Sequence, residues 1–187
     1  MDELEKAFNE RIIGQPEAVK HIIERIAMVK AGLTDPQRPL GVFLFVGPTG
    51  TGKTEVAKTL VNYLFGAEDR MIRLDMSEFQ TADDLIRITG GYSPNNEGES
   101  LVSQVRKQPF SVVLLDEFEK SHQRIWDLFL QVFDDGRLTD DQGSVVDFRN
   151  TIIILTSNTG ASDKLPHRIG FVENVDAITT LNYSIIK

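Results

Sequence analysis

The sequence predicts a three-layer α/β fold with a mainly parallel central sheet, and three observations carry that prediction. The runs Val42–Val46, Ser111–Leu115 and Thr151–Thr156 are almost wholly apolar. Such runs read as strands buried on both faces, as in a parallel sheet covered by helices. They alternate with segments whose apolar residues recur at helical spacing. Finally, the first run passes directly into a glycine-rich turn and then into a helical segment, Lys53–Phe65.

In chain order, residues 2–9 suit a short helix, and Pro16 suits the first turn of a second. Val19, Ile22, Ile23, Ile26 and Val29 then repeat on one helical face, with Lys20, Glu24, Arg25 and Lys30 on the other. Gly32 and the segment Thr34–Pro39 stop this helix and lead into the strand Val42–Val46. In helix Lys53–Phe65, Val56, Leu60, Val61 and Leu64 face inward. Met71–Leu74 reads as a strand closing at Asp75, Thr81–Ile88 as helix, and Gly90–Asn96 as a turn-rich loop. A helix over Glu97–Lys107 is broken by Pro109, and the strand Ser111–Leu115 then delivers Asp116 and Glu117. The next helix carries Ile125, Leu128, Phe129, Val132 and Phe133 on one side. Asp134–Thr139 and Val145–Phe148 are expected to be the arms of a β-hairpin around Asp141-Gln142-Gly143. The strand Thr151–Thr156 ends at Ser157-Asn158, and residues 162–187 are expected to be loop with marginal helix. The expected division is therefore residues 1–161 as one domain and 162–187 as a C-terminal segment.

The turn after the first strand is Gly47-Pro48-Thr49-Gly50-Thr51-Gly52-Lys53-Thr54, which matches G-x-x-x-x-G-K-[ST] at every required position. Glycines let the backbone turn tightly and approach a phosphate, so that N–H groups and the following helix N-terminus surround the anion. Lys53 is placed to reach the β- and γ-phosphates, and the Thr54 hydroxyl to hold Mg²⁺. Open α/β sheets bind ligands at the carboxyl ends of their strands. Asp116 ends one apolar strand and suits a carboxylate that holds Mg²⁺ through its water shell. Glu117, next in sequence, suits a base that polarises the attacking water. The plainer alternative is an acidic pair that only caps a strand. Asn158, at the end of the following strand, offers an amide to the water or the γ-phosphate, or is an ordinary turn asparagine.

Composition narrows the partners. Twenty Lys and Arg against 28 Asp and Glu leave a net charge of −8, a poor basis for sequence-independent binding of nucleic acid. With no cysteine, disulfides and thiolate metal sites are excluded. No apolar run approaches ~18 residues and the N-terminus is charged, so neither a membrane span nor a secretory signal is expected. The expected compartment is the cytoplasm.

Several motifs together carry a family resemblance: Ile12-Ile13-Gly14-Gln15, the phosphate loop, Asp75-Met76-Ser77-Glu78, and Leu114-Leu115-Asp116-Glu117-Phe118-Glu119-Lys120. Further along come Asp134–Asp140, Val146–Thr151 and Thr156-Ser157-Asn158, all in the family's order. Over residues 8–161 the chain resembles the Clp-type AAA+ unfoldases. More narrowly, it is similar to the large subdomain of the second ATPase module in the ClpA/ClpB/ClpC group. The resemblance implies a P-loop NTPase (AAA+) fold with a β-hairpin insertion, ATP or ADP with Mg²⁺ as cofactors, and a hexameric ring. Such a ring spends ATP to thread unfolded or aggregated polypeptide through a central pore, with a peptidase or adaptor as a further partner. By position, Ile12 and Ile13 would border the adenine. Gly50, Thr51, Gly52, Lys53, Thr54 and Glu55 would surround the phosphates, with Gly47, Pro48 and Thr49 opening the loop. Glu117 would be the catalytic glutamate, Asn158 a first sensor, and Tyr92 the aromatic of the pore loop.

Two departures from the family pattern stand out. Gly91-Tyr92 is followed by Ser93-Pro94 where the family has Val-Gly, and the stretch before it is a few residues shorter. Residues 162–187 contain Arg168 but neither an arginine-finger motif nor a helical lid, which suggests a chain that stops before both. Two other functions stay open at this level. One is a nucleotide-dependent ring-assembly module without efficient hydrolysis. The other is an AAA+ motor acting on another substrate, such as nucleic acid.

Overall fold

The computed structural model describes residues 6, 8, 16–47, 52–91, 99–158 and 177–180, with the backbone alone for 16–18 and 177–180. Five parallel strands form the sheet in the order β2-β3-β6-β1-β7. They are β1 (Gly41–Val46), β2 (Met71–Asp75), β3 (Val112–Asp116), β6 (Ile152–Ser157) and β7 (Ala177–Thr180). A separate antiparallel hairpin pairs β4 (Arg137–Thr139) with β5 (Val145–Asp147).

The continuous apolar runs are explained by burial on both sides, since successive side chains along a strand point to opposite faces. Phe43, Phe45, Val112, Leu114, Ile152 and Ile154 pack on one face against Ile22 and Ile26 of helix Pro16–Lys30 and Val56 and Leu60 of helix Lys53–Phe65. Val42, Leu44, Val46, Val113, Leu115, Ile153 and Leu155 point the other way. There they meet Val102 and Val105 of helix Leu101–Lys107 and Ile125, Phe129 and Phe133 of helix Gln123–Asp135. Phe8, fully buried, joins the first of these two cores.

The structure corrects the expected elements in four places. Asp134 and Asp135 belong to the helix and not to the hairpin. Gly136 takes a left-handed φ of 60° and donates its N–H to the Val132 carbonyl at 2.9 Å, so the helix runs until that glycine closes it. Residues 81–89 form a 3₁₀ turn, Ala82–Leu85, before a single α-turn, Ile86–Thr89. The described part of the expected Glu97–Lys107 helix begins only at Leu101, where the Ser100 hydroxyl caps the Ser103 N–H. Within 162–187, Ala177–Thr180 is a strand and not loop or helix; it pairs in parallel with β1 from Phe43↔Ala177 to Val46↔Thr180. Without it β1 would form the sheet edge, leaving a row of its backbone groups unpaired. No helix among the described residues is long and apolar enough to cross a membrane.

Candidate nucleotide site

Three strand ends meet at the site. Gly47 leaves β1 with its N–H donated to the Ser157 carbonyl at 3.1 Å, which ties the start of the glycine-rich turn to the end of β6. Gly52, immediately before helix Lys53–Phe65, has φ +86°, and among the described residues nothing stands near where a Cβ would be. That backbone conformation favours glycine. The residue before the helix, Gly52, has no side chain to cap it, and a helix N-terminus carries the positive end of the backbone dipole, which favours an anion.

Lys53 is 7% exposed and donates its Nζ to the Gly47 carbonyl at 2.6 Å. Burial pushes its pKa below the ordinary lysine value, against the opposing charges of Asp116, Glu119 and Glu117. Thr54 and Glu55, in the same helical turn, are half-buried.

The acidic pair sits at the end of β3. Asp116 accepts from the Thr156 hydroxyl through Oδ1 at 2.5 Å and from Arg73 of β2 through Oδ2 at 2.6 Å. Glu117 has φ 55°, ψ 45°, the only positive φ outside glycine among the described residues. That left-handed conformation costs about 1–2 kcal/mol for a residue with a Cβ. The Glu117 N–H donates to the Thr156 hydroxyl at 3.0 Å, so one buried threonine fixes both acids. The kink also drives Phe118 into the core, where it meets Trp126 and, edge-on, Phe129.

Asn158 reaches the same place from β6. Its side-chain amide donates to Glu117 Oε1 at 2.7 Å, and its backbone N–H donates to Glu119 Oε1 at 2.9 Å. Lys120 donates to Glu117 Oε2 at 2.5 Å, and this contact raises the lysine's pKa.

The structure therefore brings Gly47, Gly52, Lys53, Thr54, Glu55, Asp116, Glu117 and Asn158 to neighbouring strand and helix ends. Ile12, Ile13, Pro48, Thr49, Gly50, Thr51 and Tyr92 lie outside the described residues. Four participants were not read from the sequence: Thr156, Arg73, Glu119 and Lys120. Only Arg73 leaves a trace there, as a charged residue interrupting the otherwise apolar run Met71–Leu74.

A parallel sheet flanked by helices, with the G-x-x-x-x-G-K-[ST] sequence between β1 and helix Lys53–Phe65, defines a P-loop nucleoside triphosphatase of three-layer α/β type. Residues 38–181 match the family described as AAA domain (Cdc48 subfamily), and the chain belongs to that family. Its relatives narrow the membership to the Clp type. Over 162 residues, 85% of this chain, it is 53% identical to the chaperone protein ClpB of Vibrio cholerae, of which that stretch is 19%. It is 54% identical to ClpB of Aquifex aeolicus over 161 residues, 84% of this chain and 16% of that protein. To ClpB of Oceanobacillus iheyensis it is 51% identical over 172 residues, 90% of this chain and 21% of that protein. The chain thus spans about a fifth of the length of these relatives.

Proposed function

We propose that this domain binds and hydrolyses Mg²⁺-ATP, and that in an assembled ring of six copies this turnover draws unfolded or aggregated polypeptide through a central pore. The observation that carries the reading is the meeting of Lys53, Asp116, Glu117 and Asn158 at the ends of β1, β3 and β6. In particular, the Asn158 amide lies 2.7 Å from the Glu117 carboxylate. A strand cap has no need of that contact, and neither does a scaffold that binds nucleotide without using it.

The residues present fit the nucleotide and its metal. A buried ammonium at a helix N-terminus suits phosphate oxygens. A carboxylate and a hydroxyl, on Asp116 and Thr54, are the hard oxygen donors that Mg²⁺ prefers. When bound, the Mg²⁺-nucleotide supplies a charge-neutralised, electrophilic γ-phosphorus. Lys53 sets its positive charge against the phosphate oxygens, and the N–H groups of the loop and first helical turn add fixed dipoles. Glu117 accepts a proton from the attacking water through a carboxylate oxygen, while Asn158 holds that carboxylate in place. The two carboxylates have different partners, Thr156 and Arg73 for Asp116 and Asn158 and Lys120 for Glu117, which suits a division of metal binding and proton removal between them.

The polypeptide substrate and the ring are inferred from the relatives' name as chaperones and from the Clp-type motifs. Tyr92 is proposed as the residue that grips the chain. The experiment separates binding from turnover. Lys53→Ala should abolish binding of a fluorescent ATP analogue, whereas Glu117→Gln should bind it as the parent does and hydrolyse at least about 100-fold more slowly. Parent-rate turnover by Glu117→Gln would refute the assignment of the base.

A further inference from the structure

Glu119 is a carboxylate at this site to which the mechanism above gives no work, and its surroundings are unusual. Its Oε1 accepts the backbone N–H of Asn158 at 2.9 Å, across 39 positions of sequence. Its Oε2 is buried and has no hydrogen-bond partner among the described residues. A carboxylate oxygen taken out of water without a partner is destabilising, so its retention points to a function. The local fold explains how it gets there. Glu117 in the left-handed region starts the 3₁₀ turn Phe118–Lys120, and Phe118 is fixed by the Trp126 and Phe129 rings. Glu117 and Glu119 thereby meet Asn158 together, one at its side-chain amide and one at its main-chain amide.

We infer that Glu119 is a positioning residue for hydrolysis: it holds the backbone of Asn158 so that the side-chain amide of Asn158 in turn holds the Glu117 carboxylate. The inference rests on the hydrolysis reading given above. Asn158 follows the last residue of β6, beyond the sheet pairing that fixes Ile152–Ser157 against β1. Its N–H is therefore anchored by a side chain instead of a neighbouring strand.

The test uses the assembled full-length protein. Glu119→Ala should lower kcat for ATP about tenfold or more, with KM and the affinity for a fluorescent ADP analogue within about threefold of the parent. Glu119→Gln retains the acceptor oxygen facing Asn158 and should return kcat to within about threefold of the parent. Adding Asn158→Ala to Glu119→Ala should cost less than about twofold more, although Asn158→Ala alone costs about tenfold, because the two act in series. Amide exchange at Asn158 should quicken at least about tenfold in Glu119→Ala and stay slow in Glu119→Gln. Should Glu119→Ala fail to assemble, Glu119→Asp, which withdraws the carboxylate by one methylene, is measured in its place with the same expected losses. Multiplicative losses in the double variant, a Gln variant no better than Ala, or unchanged exchange at Asn158 would each overturn the inference. Glu117→Gln run alongside separates the two failures. If it still turns over, the hydrolysis reading falls as well. If it is inactive while Glu119→Ala matches the parent, only the role of Glu119 falls.

Discussion

Thr156 bears more of this site than any other uncharged side chain, and replacing it with valine, nearly the same shape, removes only the hydroxyl. In Thr156→Val, Asp116 Oδ1 loses its 2.5 Å donor and the Glu117 N–H loses its 3.0 Å acceptor, both at a residue with no exposed surface. A hydrogen bond to a charged group is worth about 1.5–3 kcal/mol, and an unsatisfied buried donor costs about 1–3 kcal/mol. Asp116 keeps Arg73 and some contact with solvent, which places its loss at the lower end. The combined cost is about 2–4 kcal/mol, and at ~2–4 °C per kcal/mol for a chain of this size Tm should fall by roughly 4–16 °C. Urea unfolding followed by circular dichroism should show a lower midpoint with an unchanged slope. Thr156→Ser keeps the oxygen and gives up one buried methyl, so it should lose only about 1 kcal/mol. A valine variant within about 0.5 kcal/mol of the parent would mean that the hydroxyl carries no such load. Serine as damaging as valine would refute it too, for then the methyl and not the hydroxyl would be what matters.

Other outcomes follow from particular geometries. Gly136→Ala should destabilise by about 2–4 kcal/mol, because a Cβ there would stand 2.6 Å from both the Gln37 carbonyl and the Arg149 side chain at φ +60°. Gly143→Ala, at φ +80° with nothing near, should cost only the backbone term of about 1–2 kcal/mol, and chemical denaturation of the pair measures the difference. Glu117→Gly should be about 0.5–1 kcal/mol more stable than Glu117→Ala in the same assay, since glycine relieves the left-handed strain. The carboxyls of Asp75, Asp140 and Asp147 are held below the usual aspartate value, chiefly by the Ser77 hydroxyl, the Arg106 guanidinium and the Arg149 guanidinium respectively. Their contribution to stability is thus complete above the ordinary aspartate pKa and disappears as pH falls through the lowered values. Asp140→Asn should flatten the acid limb of a stability–pH curve, and an unchanged limb would refute this.

What could be read from the sequence was whatever depends on composition along one strand or on a short contiguous motif. Val42–Val46 announces a doubly buried strand because every position must be apolar, and the phosphate loop is recognisable because its chemistry is local. Thr156 and Glu119 could not be found that way. The Thr156 hydroxyl matters because β3 and β6 are neighbours, a pairing with no signature in either strand alone. Glu119 faces Asn158 only because Glu117 adopts a left-handed backbone, and nothing in the residue type of a glutamate foretells that. Ala177–Thr180 escaped notice for a different reason. Two threonines and an alanine do not make an apolar run, yet the backbone of β1 pairs with them readily.

The register of the sheet also decides how the site is assembled. Leu155 pairs with Leu44 of β1 and with Leu115 of β3, so the next residues of all three strands emerge at the same level. Thr156, Ser157 and Asn158 then do different work in succession. The Thr156 side chain takes the acidic pair, the Ser157 carbonyl takes the Gly47 N–H, and the Asn158 amides take Glu117 and Glu119. Alternation along the strand lets adjacent residues serve different neighbours. A slip of β6 by one residue would send the Thr156 hydroxyl to the opposite face and bury the wrong set of side chains. That slip is opposed by the packing of Ile152 and Ile154 on one face and Ile153 and Leu155 on the other. The positions of Glu117 and Asn158 are therefore inherited from apolar packing several residues away, which is what allows a strained glutamate and a partly unsatisfied one to be held at the same strand ends.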